Sequence, residues 1–369
     1  MQVLQKVRGR TDRGGSVCGQ TPGLRWCTAR HPGARSSAEQ HHRQYGPVSP
    51  HLKALVSDHA LIDAISQIDT VPAEATRLFH GRGGRFPGFE HLALDCFPPV
   101  WLLTSFQPLV DDELASIQAA LAARVEQLSP GQPFNLVYQQ RDDARADTRL
   151  LCGQVPEVHE VPAQGARYRV HLLRGTNHGF FLDMAEGHRW VREHVAARPG
   201  LKVLNLFAYT CAFSVVALQA GARQVINMDM AGGALSIGKQ NHHLNGLTQG
   251  ASFWPHDVFS SWGKIGRGGP YDLIIVDPPS YQKGSFVAEK DYARLVRRLP
   301  DLLMHGGHAL LCLNSPKLGP AFLQDLVAAE APELTFVERV ANPAVYDDVS
   351  SDRSLKVLVY RAPEAPAVG

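Results

Sequence analysis

Residues 201–229 read LKVLNLFAYTCAFSVVALQAGARQVINMD, and this stretch alternates between the patterns of a strand and a helix. Leu201–Leu206 predicts a strand, and Ala212–Ala220 predicts a helix that ends before Gly221. Gln224–Asp229 predicts the next strand. A strand, a helix and a second strand in this order form the repeating unit of parallel α/β sheets, so the stretch predicts that fold class.

The same alternation continues towards the C-terminal end of the sequence. Further strands are predicted at Ser252–Pro255, Tyr271–Asp277, His308–Leu313, Leu334–Val340 and Leu355–Arg361, and further helices at Met184–Ala197, Gly232–Leu244, Val287–Leu303 and Pro320–Ala329. This order predicts a doubly wound parallel sheet with helices on both faces. Ligands of such sheets bind beyond the carboxyl ends of the strands, so we expect the functional residues directly after each strand.

The first part of the chain follows a different pattern. Residues 46–165 combine short strand patterns with the amphipathic helix Asp111–Leu128, and they predict a small α+β domain before the sheet domain of residues 166–369. Residues 1–45 contain eight basic and two acidic residues and no apolar periodicity, which predicts a disordered basic extension. A basic arm that binds RNA and an organelle transit peptide are the alternatives for this segment.

Composition excludes several classes of protein. The chain of 369 residues has 44% hydrophobic and 20% charged residues, which is typical of a globular protein of about two or three domains. No apolar run approaches the roughly 18 residues of a membrane span. The net charge is +2 for the whole chain but −4 after the basic extension, so any RNA partner must be held by local patches. Six scattered cysteines without zinc spacing predict a reduced, cytoplasmic protein and no metal site.

The loop that follows the first strand of this sheet, Asn205–Ser214, contains no glycine. A G-x-G-x-x-G loop is therefore absent there, which disfavours an ordinary NAD or FAD enzyme. The loop is still built of small residues such as Ala208 and Thr210, and it opens a helix. A nucleotide-binding loop and a plain strand-to-helix turn both remain open at this point.

Acidic residues end or follow the next two strands. Asp229 ends the second strand, where a carboxylate can accept hydrogen bonds from both ribose hydroxyls of an adenosine. Asp257 follows the third strand, where it can either accept a hydrogen bond from an adenine amino group or cap the segment after Val258. Because acidic residues commonly end strands, each position is a weak indication by itself.

The fourth strand ends in the segment Asp277-Pro278-Pro279-Ser280-Tyr281. A carboxylate and a proline-stiffened backbone present acceptors at set positions, and an aromatic ring nearby can stack on a planar base. Such a segment suits methyl transfer to a ring nitrogen or an amino nitrogen. Two prolines are also a common loop device, so the segment alone leaves both interpretations open.

The region from Asn177 to Arg361 resembles the bacterial class I S-adenosylmethionine-dependent methyltransferases that modify 23S ribosomal RNA. The matching segments are His178–Asp183, Val203–Thr210, Val225–Asp229, Asn241–Leu247 and Asp277–Tyr281, and Leu78–Phe89 resembles the small domain of that family. The resemblance implies a Rossmann-like, doubly wound, seven-stranded sheet whose last strand is antiparallel. It also implies S-adenosyl-L-methionine as cofactor and RNA, namely 23S rRNA, as partner.

The resemblance assigns roles residue by residue. The cofactor-binding residues that it implies are Phe181, Asp183, Asn205, Phe207, Ala208, Tyr209, Thr210, Asp229, Met230, Asp257 and Asp277. The catalytic residues that it implies are Asp277, Pro278, Tyr281 and Asn314, and the residues expected to contact RNA are Arg82, Arg85 and Lys283.

Two departures from the family pattern bear on the chemistry. Cys211 stands where the family usually has a glycine. In addition, the nucleophilic cysteine that cytosine-5 enzymes need aligns with Ser315, while Cys312 lies inside the strand, where an apolar filler is expected. We therefore predict direct in-line transfer to a base nitrogen, guanine N7 or an exocyclic amine. The alternatives are a cytosine-5 enzyme, a methyltransferase of a small molecule or protein, and an RNA-binding assembly protein that keeps the fold.

Overall fold

The computed structural model describes residues 60–141, 146–279, 281–282 and 286–366, with Ala146, Tyr281 and Gln282 described by their backbone alone. The predicted basic extension, residues 1–45, lies outside the described residues. The first described element is helix α1, of which residues 60–66 are described. It packs Leu61 and Ile65 into the core of the first sheet.

Five strands form the first sheet in the order β1-β2-β3-β4-β5. They are β1 (Thr76–His80), β2 (Leu92–Phe97), β3 (Val100–Ser105), β4 (Asn135–Arg141) and β5 (Ala146–Cys152), with helix α2 (Asp111–Leu128) between β3 and β4. β3 and β4 run parallel, as a helical crossover allows, and the other neighbours are antiparallel. Helix α2 has the predicted bounds and buries the predicted apolar stripe between Leu114 and Val125.

A hairpin links the two sheets. Its strands β6 (His159–Ala163) and β7 (Ala166–Val170) are antiparallel, and the predicted boundary between residues 165 and 166 falls in its turn. The hairpin shares one hydrophobic cluster with Leu102 of β3 and with Val215 of the next sheet's first crossover helix. One hydrophobic cluster therefore extends from the first sheet, through the hairpin, to the helix α4 beside the second sheet.

Seven strands form the second sheet in the order β10-β9-β8-β11-β14-β16-β15. In chain order its elements and connections are α3 (Ala185–Ala197), β8 (Lys202–Leu206), α4 (Ala212–Gln219), β9 (Gln224–Met228), α5 (Gly232–Leu244), β10 (Ala251–Trp254), α6 (Trp262–Gly268), β11 (Tyr271–Val276), β12 (Tyr281–Gln282), β13 (Phe286–Val287), α7 (Ala288–Val296), α8 (Leu299–Leu302), β14 (Leu303–Leu313), α9 (Pro320–Glu330), β15 (Thr335–Val340) and β16 (Lys356–Arg361). The last strand, β16, is antiparallel to both of its neighbours, so the predicted Rossmann-like sheet with an antiparallel last strand is confirmed.

The strand order reverses between β8 and β11. From β8 the chain proceeds outwards through β9 and β10, and it then returns to β11 on the other side of β8. Separate hydrophobic clusters cover the two faces of the sheet. The carboxyl ends of β8 and β11 therefore form the switch point at which such folds bind ligands.

The predicted helix Val287–Leu303 is interrupted after Val296 and is one residue too long at each end. Helix α7 ends at Val296, α8 occupies Leu299–Leu302, and Leu303 already begins β14. Pro300 explains the break, because proline lacks the N–H that would continue the helical ladder and its ring clashes with the preceding turn. No described helix combines the length and the hydrophobicity that a lipid bilayer requires of a spanning segment.

Candidate active site

The carboxyl ends of the parallel strands open into one cavity of about 500 Å³. Its lining includes every residue that the resemblance assigned to the cofactor, namely Phe181, Asp183, Asn205, Phe207, Ala208, Tyr209, Thr210, Asp229, Met230, Asp257 and Asp277. Pro278 and Asn314 of the expected catalytic set line the same cavity. The sheet thus brings together at one edge residues that lie far apart in the sequence.

The loop after β8 has an unusual backbone. Phe207, Tyr209 and Cys211 have φ angles of 57°, 46° and 63°, a region that non-glycine residues rarely occupy. Hydrogen bonds to the neighbouring strand hold this conformation: Ala208 N–H donates to Met228 O at 3.0 Å, and Tyr209 N–H donates to the Asp229 carboxylate at 2.8 Å. The loop therefore obtains without glycine a shape that glycine usually provides.

Cys211 begins helix α4 and is fully buried. A Cβ atom added at Gly238 of α5 would lie 2.5 Å from the Cys211 Sγ. The thiol occupies the space that the missing side chain leaves, so Gly238 accommodates the residue that departs from the family pattern. The sequence gives no signal for this pairing, because it depends on how α5 packs on the loop.

Asp229 is held in place by two backbone groups. Its Oδ2 accepts the Tyr209 N–H at 2.8 Å, and its Oδ1 accepts the Ala231 N–H at 2.7 Å. Each carboxylate oxygen keeps a further lone pair for a ligand. A pair of acceptor oxygens in this arrangement complements two neighbouring hydroxyl groups.

A buried hydrogen-bond network orients Asn205. His242 donates its Nδ1–H to Gly238 O at 2.7 Å, so its Nε2 accepts from Ser214 Oγ at 2.9 Å. Ser214 Oγ in turn accepts from Asn227 Nδ2, and the Asn227 Oδ1 accepts from Asn205 Nδ2, each at 3.0 Å. This network uses the Nδ2 of Asn205. Its Oδ1 is buried and has no protein partner among the described residues. A ligand that donates a hydrogen bond would satisfy it.

The structure shows one of the two roles that the sequence left open for Asp257. Its carboxylate accepts the N–H groups of Phe259 at 3.3 Å and Ser260 at 3.0 Å, so it caps the turn that follows. It also lines the cavity. The capping role is therefore present, and the cavity-facing position leaves the ligand role available.

Asp277 follows β11 directly and faces the cavity. Burial, together with the charge of Asp183, raises the pKa of Asp277 to about 7. Burial also raises the pKa of Asp183. At neutral pH, Asp277 is therefore present in both its protonated and its ionised form, and it can accept or hold a proton.

Cys312 is the neighbour of Asp277 on the adjacent strand. It is fully buried in β14, and burial raises the pKa of its thiol far above the usual value. The thiol lies beside the Asp277 carboxylate, because Val276 pairs with Leu311 in the parallel register, and the charge of Asp277 raises the pKa of the thiol further. The sequence correctly indicated a buried position, but it missed this contact.

The remaining predicted residues are only partly described. Tyr281 belongs to the short strand β12, which pairs with β13, and its side chain lies outside the described residues, as does Lys283 altogether. The two arginines expected to contact RNA make different contacts in the structure. The Arg82 guanidinium lies 4.0 Å from the centroid of the Phe106 ring, whereas Arg85 forms an exposed ion pair with Asp347 at 2.8 Å.

The sequence model of the S-adenosylmethionine-dependent methyltransferases matches residues 76–361 of this chain. The chain belongs to this family. S-adenosylmethionine is therefore its cofactor. The matched region extends from the first strand of the first sheet to the last strand of the second, so it includes both sheets.

Two named relatives share parts of this methyltransferase. Ribosomal RNA large subunit methyltransferase K/L of Psychrobacter sp. is 34% identical over 183 residues, which is 47% of this chain and 22% of that protein. Ribosomal RNA large subunit methyltransferase I of Aeromonas salmonicida is 28% identical over 250 residues, which is 66% of this chain and 62% of that protein. This chain therefore spans less than two thirds of the length of either relative.

Solved structures share the fold. The structure of SMU.776 complexed with SAH superposes with a TM-score of 0.68 at 23% identity, over 86% of this chain and 83% of that one. An S-adenosylmethionine-dependent methyltransferase from Agrobacterium tumefaciens superposes with a TM-score of 0.56 at 21% identity, over 74% and 88% of the two chains. At this level of identity the similarity shows a common fold alone.

The residues of the cavity fit S-adenosylmethionine. The two lone pairs that Asp229 keeps would suit the two ribose hydroxyls of the cofactor. The unpartnered Asn205 Oδ1 complements the ammonium group of the amino-acid part.

Proposed function

We propose that this methyltransferase modifies a base nitrogen of large-subunit ribosomal RNA, either guanine N7 or an exocyclic amine, and that 23S rRNA is its partner. The two relatives named above support the choice of RNA, since both names specify the large ribosomal subunit. The observation that carries the choice of nitrogen is the state of Cys312. A thiol that is fully buried and protonated is a poor nucleophile, and cytosine-5 transfer needs a nucleophile.

The proposed reaction needs no covalent bond to the protein. When bound, S-adenosylmethionine supplies an electrophilic methyl group, which a base nitrogen takes by in-line displacement. The protein contributes by holding the two reactants in line and by excluding water from the cavity. Asp229 and Asn205 would hold the cofactor, and Asp277 and the Pro278 carbonyl would orient the base.

Asp277 has a different task for each target atom. An exocyclic amine loses a proton after transfer, and a carboxylate with a pKa of about 7 is suited to accept it. Guanine N7 loses no proton, so Asp277 would then act only as an orienting group. The protonated thiol of Cys312 lies beside this carboxylate on the neighbouring strand.

The identity of the product tests the proposal. Full-length chain, unmodified 23S rRNA transcript and S-adenosylmethionine are incubated, and the digested nucleosides are analysed by mass spectrometry. We expect a guanosine methylated at N7 or a nucleoside methylated at an exocyclic amine. Methylation confined to 5-methylcytidine would overturn the choice of nitrogen. Absence of RNA methylation in a chain that binds S-adenosylhomocysteine would overturn the choice of RNA.

Cys312→Ser separates the nitrogen mechanism from the cytosine-5 alternative. The proposed reaction uses no thiol nucleophile, and serine is close to cysteine in size, so we expect turnover within about threefold of the wild-type value, consistent with a change below 1 kcal/mol. Cys96→Ser is the matched control, because Cys96 is equally buried but lies in β2, away from the cavity. Loss of turnover in Cys312→Ser alone, with SAH affinity retained, would favour a thiol nucleophile.

A further inference from the structure

A second cavity of about 400 Å³ adjoins the first. The two cavities share Phe181, Asp183 and Asn314 in their linings, so they meet beside the residues that follow β14. The opposite wall of the second cavity comes from the first sheet and includes Arg82 and Arg141. Its size lies within the range of about 300–1,000 Å³ that is usual for small-ligand sites.

Arg82 stands on the short turn after β1, beside the second cavity. Its guanidinium lies over the Phe106 ring at 4.0 Å from the centroid, which holds the planar group flat. Within the part of the chain that the structure describes, Arg82 forms no ion pair. The guanidinium group of Arg82 is therefore oriented by an apolar ring, and among the described residues no carboxylate pairs with it.

Arg141 ends β4 and points into the same cavity. Its Nε–H donates to Gln139 Oε1 at 2.5 Å, and its Nη2 donates to Thr176 O and lies 3.0 Å from His178 Nε2. Burial and the nearby Arg141 charge lower the pKa of His178 to about 4, so this ring is neutral at pH 7. All of these partners are uncharged, so they orient the guanidinium without cancelling its charge.

The other charged groups of the cavity differ from these two. Arg77 is paired through two contacts with Asp95, at 2.6 and 2.8 Å, so that pair is already neutral. The remaining acidic residues of the lining are Asp183 and Asp348, and the remaining basic residue is the exposed Arg353. Two guanidinium groups near one aromatic ring, each held by neutral partners, make an anion-binding wall.

We propose that Arg82 and Arg141 bind a backbone phosphate of the target RNA nucleotide, and that the second cavity holds this nucleotide unstacked while its base passes Asp183 and Asn314 to reach the cofactor. This proposal rests on the function proposed above and names the path of the substrate. The chemistry favours RNA because arginine forks match phosphate oxygens and the adjoining cavity leads to the methyl donor.

Arginine-to-glutamine variants of the full chain test this path. Arg82→Gln and Arg141→Gln are compared with Arg149→Gln, since Arg149 also lies over an aromatic ring, Tyr138 at 5.1 Å, but it lies outside both cavities. The measurements are KM and kcat on unmodified 23S rRNA transcript, the affinity for SAH, and the melting temperature. We expect the KM for RNA to rise about tenfold in each cavity variant, which is the scale of a charged hydrogen bond. The affinity for SAH should not change.

The salt dependence of RNA binding identifies the contact as a phosphate contact. Loss of one phosphate contact to single-stranded RNA lowers the slope of log K against log salt by about 0.7. We expect this change in Arg82→Gln and a smaller change in Arg82→Lys, which keeps the charge but loses the planar stack. A slope equal to that of Arg149→Gln would overturn the phosphate assignment.

Failure of this proposal is distinguishable from failure of the proposed function. If the wild-type chain methylates 23S rRNA and both cavity variants behave like Arg149→Gln, the path through the second cavity is wrong and the function stands. If the wild-type chain binds SAH but neither binds nor methylates RNA, the proposed function fails. If Arg141→Gln only lowers the melting temperature and Arg82→Gln has no effect on KM, the two residues are structural.

Discussion

Asp277 links the chemistry of the site to the stability of the protein. Its pKa in the native protein is about 7, whereas the ordinary value is 3.8. Between these two values the native state holds a proton that the unfolded state has lost, so the free energy of unfolding falls as pH rises through this window. Below pH 3.8 both states are protonated, and the effect disappears.

Asp277→Asn is therefore expected to raise stability and to lower turnover. At pH 8 the melting temperature should rise by at least about 2 °C relative to the wild type, and at pH 5 the gain should be smaller. Turnover on RNA should fall more than the affinity for SAH. Thermal melts from pH 5 to 8 provide the measurement, with Asp301→Asn, an exposed position on α8, as control. Equal destabilisation by Asp277→Asn at both pH values would contradict the assignment.

At the level of single residues, the sequence predicted which residues line the cavity better than it predicted their side-chain contacts. Asp229, Asp257 and Asp277 were predicted from their places after strands, and all three line the cavity. The contact between Asp277 and Cys312 was missed because it depends on the register of β11 and β14, in which Val276 pairs with Leu311. Register between parallel strands is set by packing across the sheet, and a single sequence does not reveal it.

At the level of elements, the packing of α5 on the loop after β8 gives a prediction. Gly238→Ala would place a methyl group 2.5 Å from the Cys211 Sγ, so one of the two elements must shift. We expect a loss of about 1–3 kcal/mol in the free energy of unfolding and weaker SAH binding. Gly233→Ala on the same helix meets nothing within 4 Å and should stabilise the protein by about 0.5–1 kcal/mol.

A double variant examines the cause of that loss. Cys211→Gly removes the thiol and places glycine at a φ of 63°, a conformation that glycine adopts without strain. Gly238→Ala combined with Cys211→Gly should therefore recover most of the stability, as measured by denaturant unfolding. Equal losses in the single and the double variant would show that the thiol is not the obstacle.

Elements with an uninterrupted hydrophobic period were predictable from the sequence, whereas elements with an interrupted period were not. Helix α2 matches its predicted bounds because its apolar stripe and its acidic first turn agree. The segment 287–303 has the apolar pattern of a helix, but Pro300 and the early start of β14 override it. The extent of β14 depends on its pairing with β11 and β16, and the local sequence pattern carries no information about that pairing.

At the level of the whole molecule, the shared core predicts cooperative unfolding. Leu102 of the first sheet and Val215 of α4 belong to one hydrophobic cluster. Leu102→Ala should lower the free energy of unfolding by about 2–5 kcal/mol and shift a single transition. Calorimetry and an SAH-binding melt should report the same lower temperature.

Leu150→Ala is the matched control, because Leu150 belongs to the first sheet but is 43% exposed. Its effect should stay within about 0.5 kcal/mol. Two separate transitions in Leu102→Ala, with SAH binding lost only at the wild-type temperature, would mean that the predicted domains 46–165 and 166–369 unfold independently.

The hairpin that joins the two sheets also has a consequence for the proposed RNA substrate. Phe97 of the first sheet and Phe180, which follows the hairpin, both line the second cavity and belong to one hydrophobic cluster, so we expect hinge closure around a substrate to be costly because it would break buried contacts. The nucleotide must therefore leave its stack and enter the cavity. The free-energy cost of this unstacking then discriminates between substrates. Bases in loops and bulges leave their stack at the lowest cost. On the function proposed above, we therefore expect the protein to act early in ribosome assembly, before neighbouring helices enclose the target nucleotide.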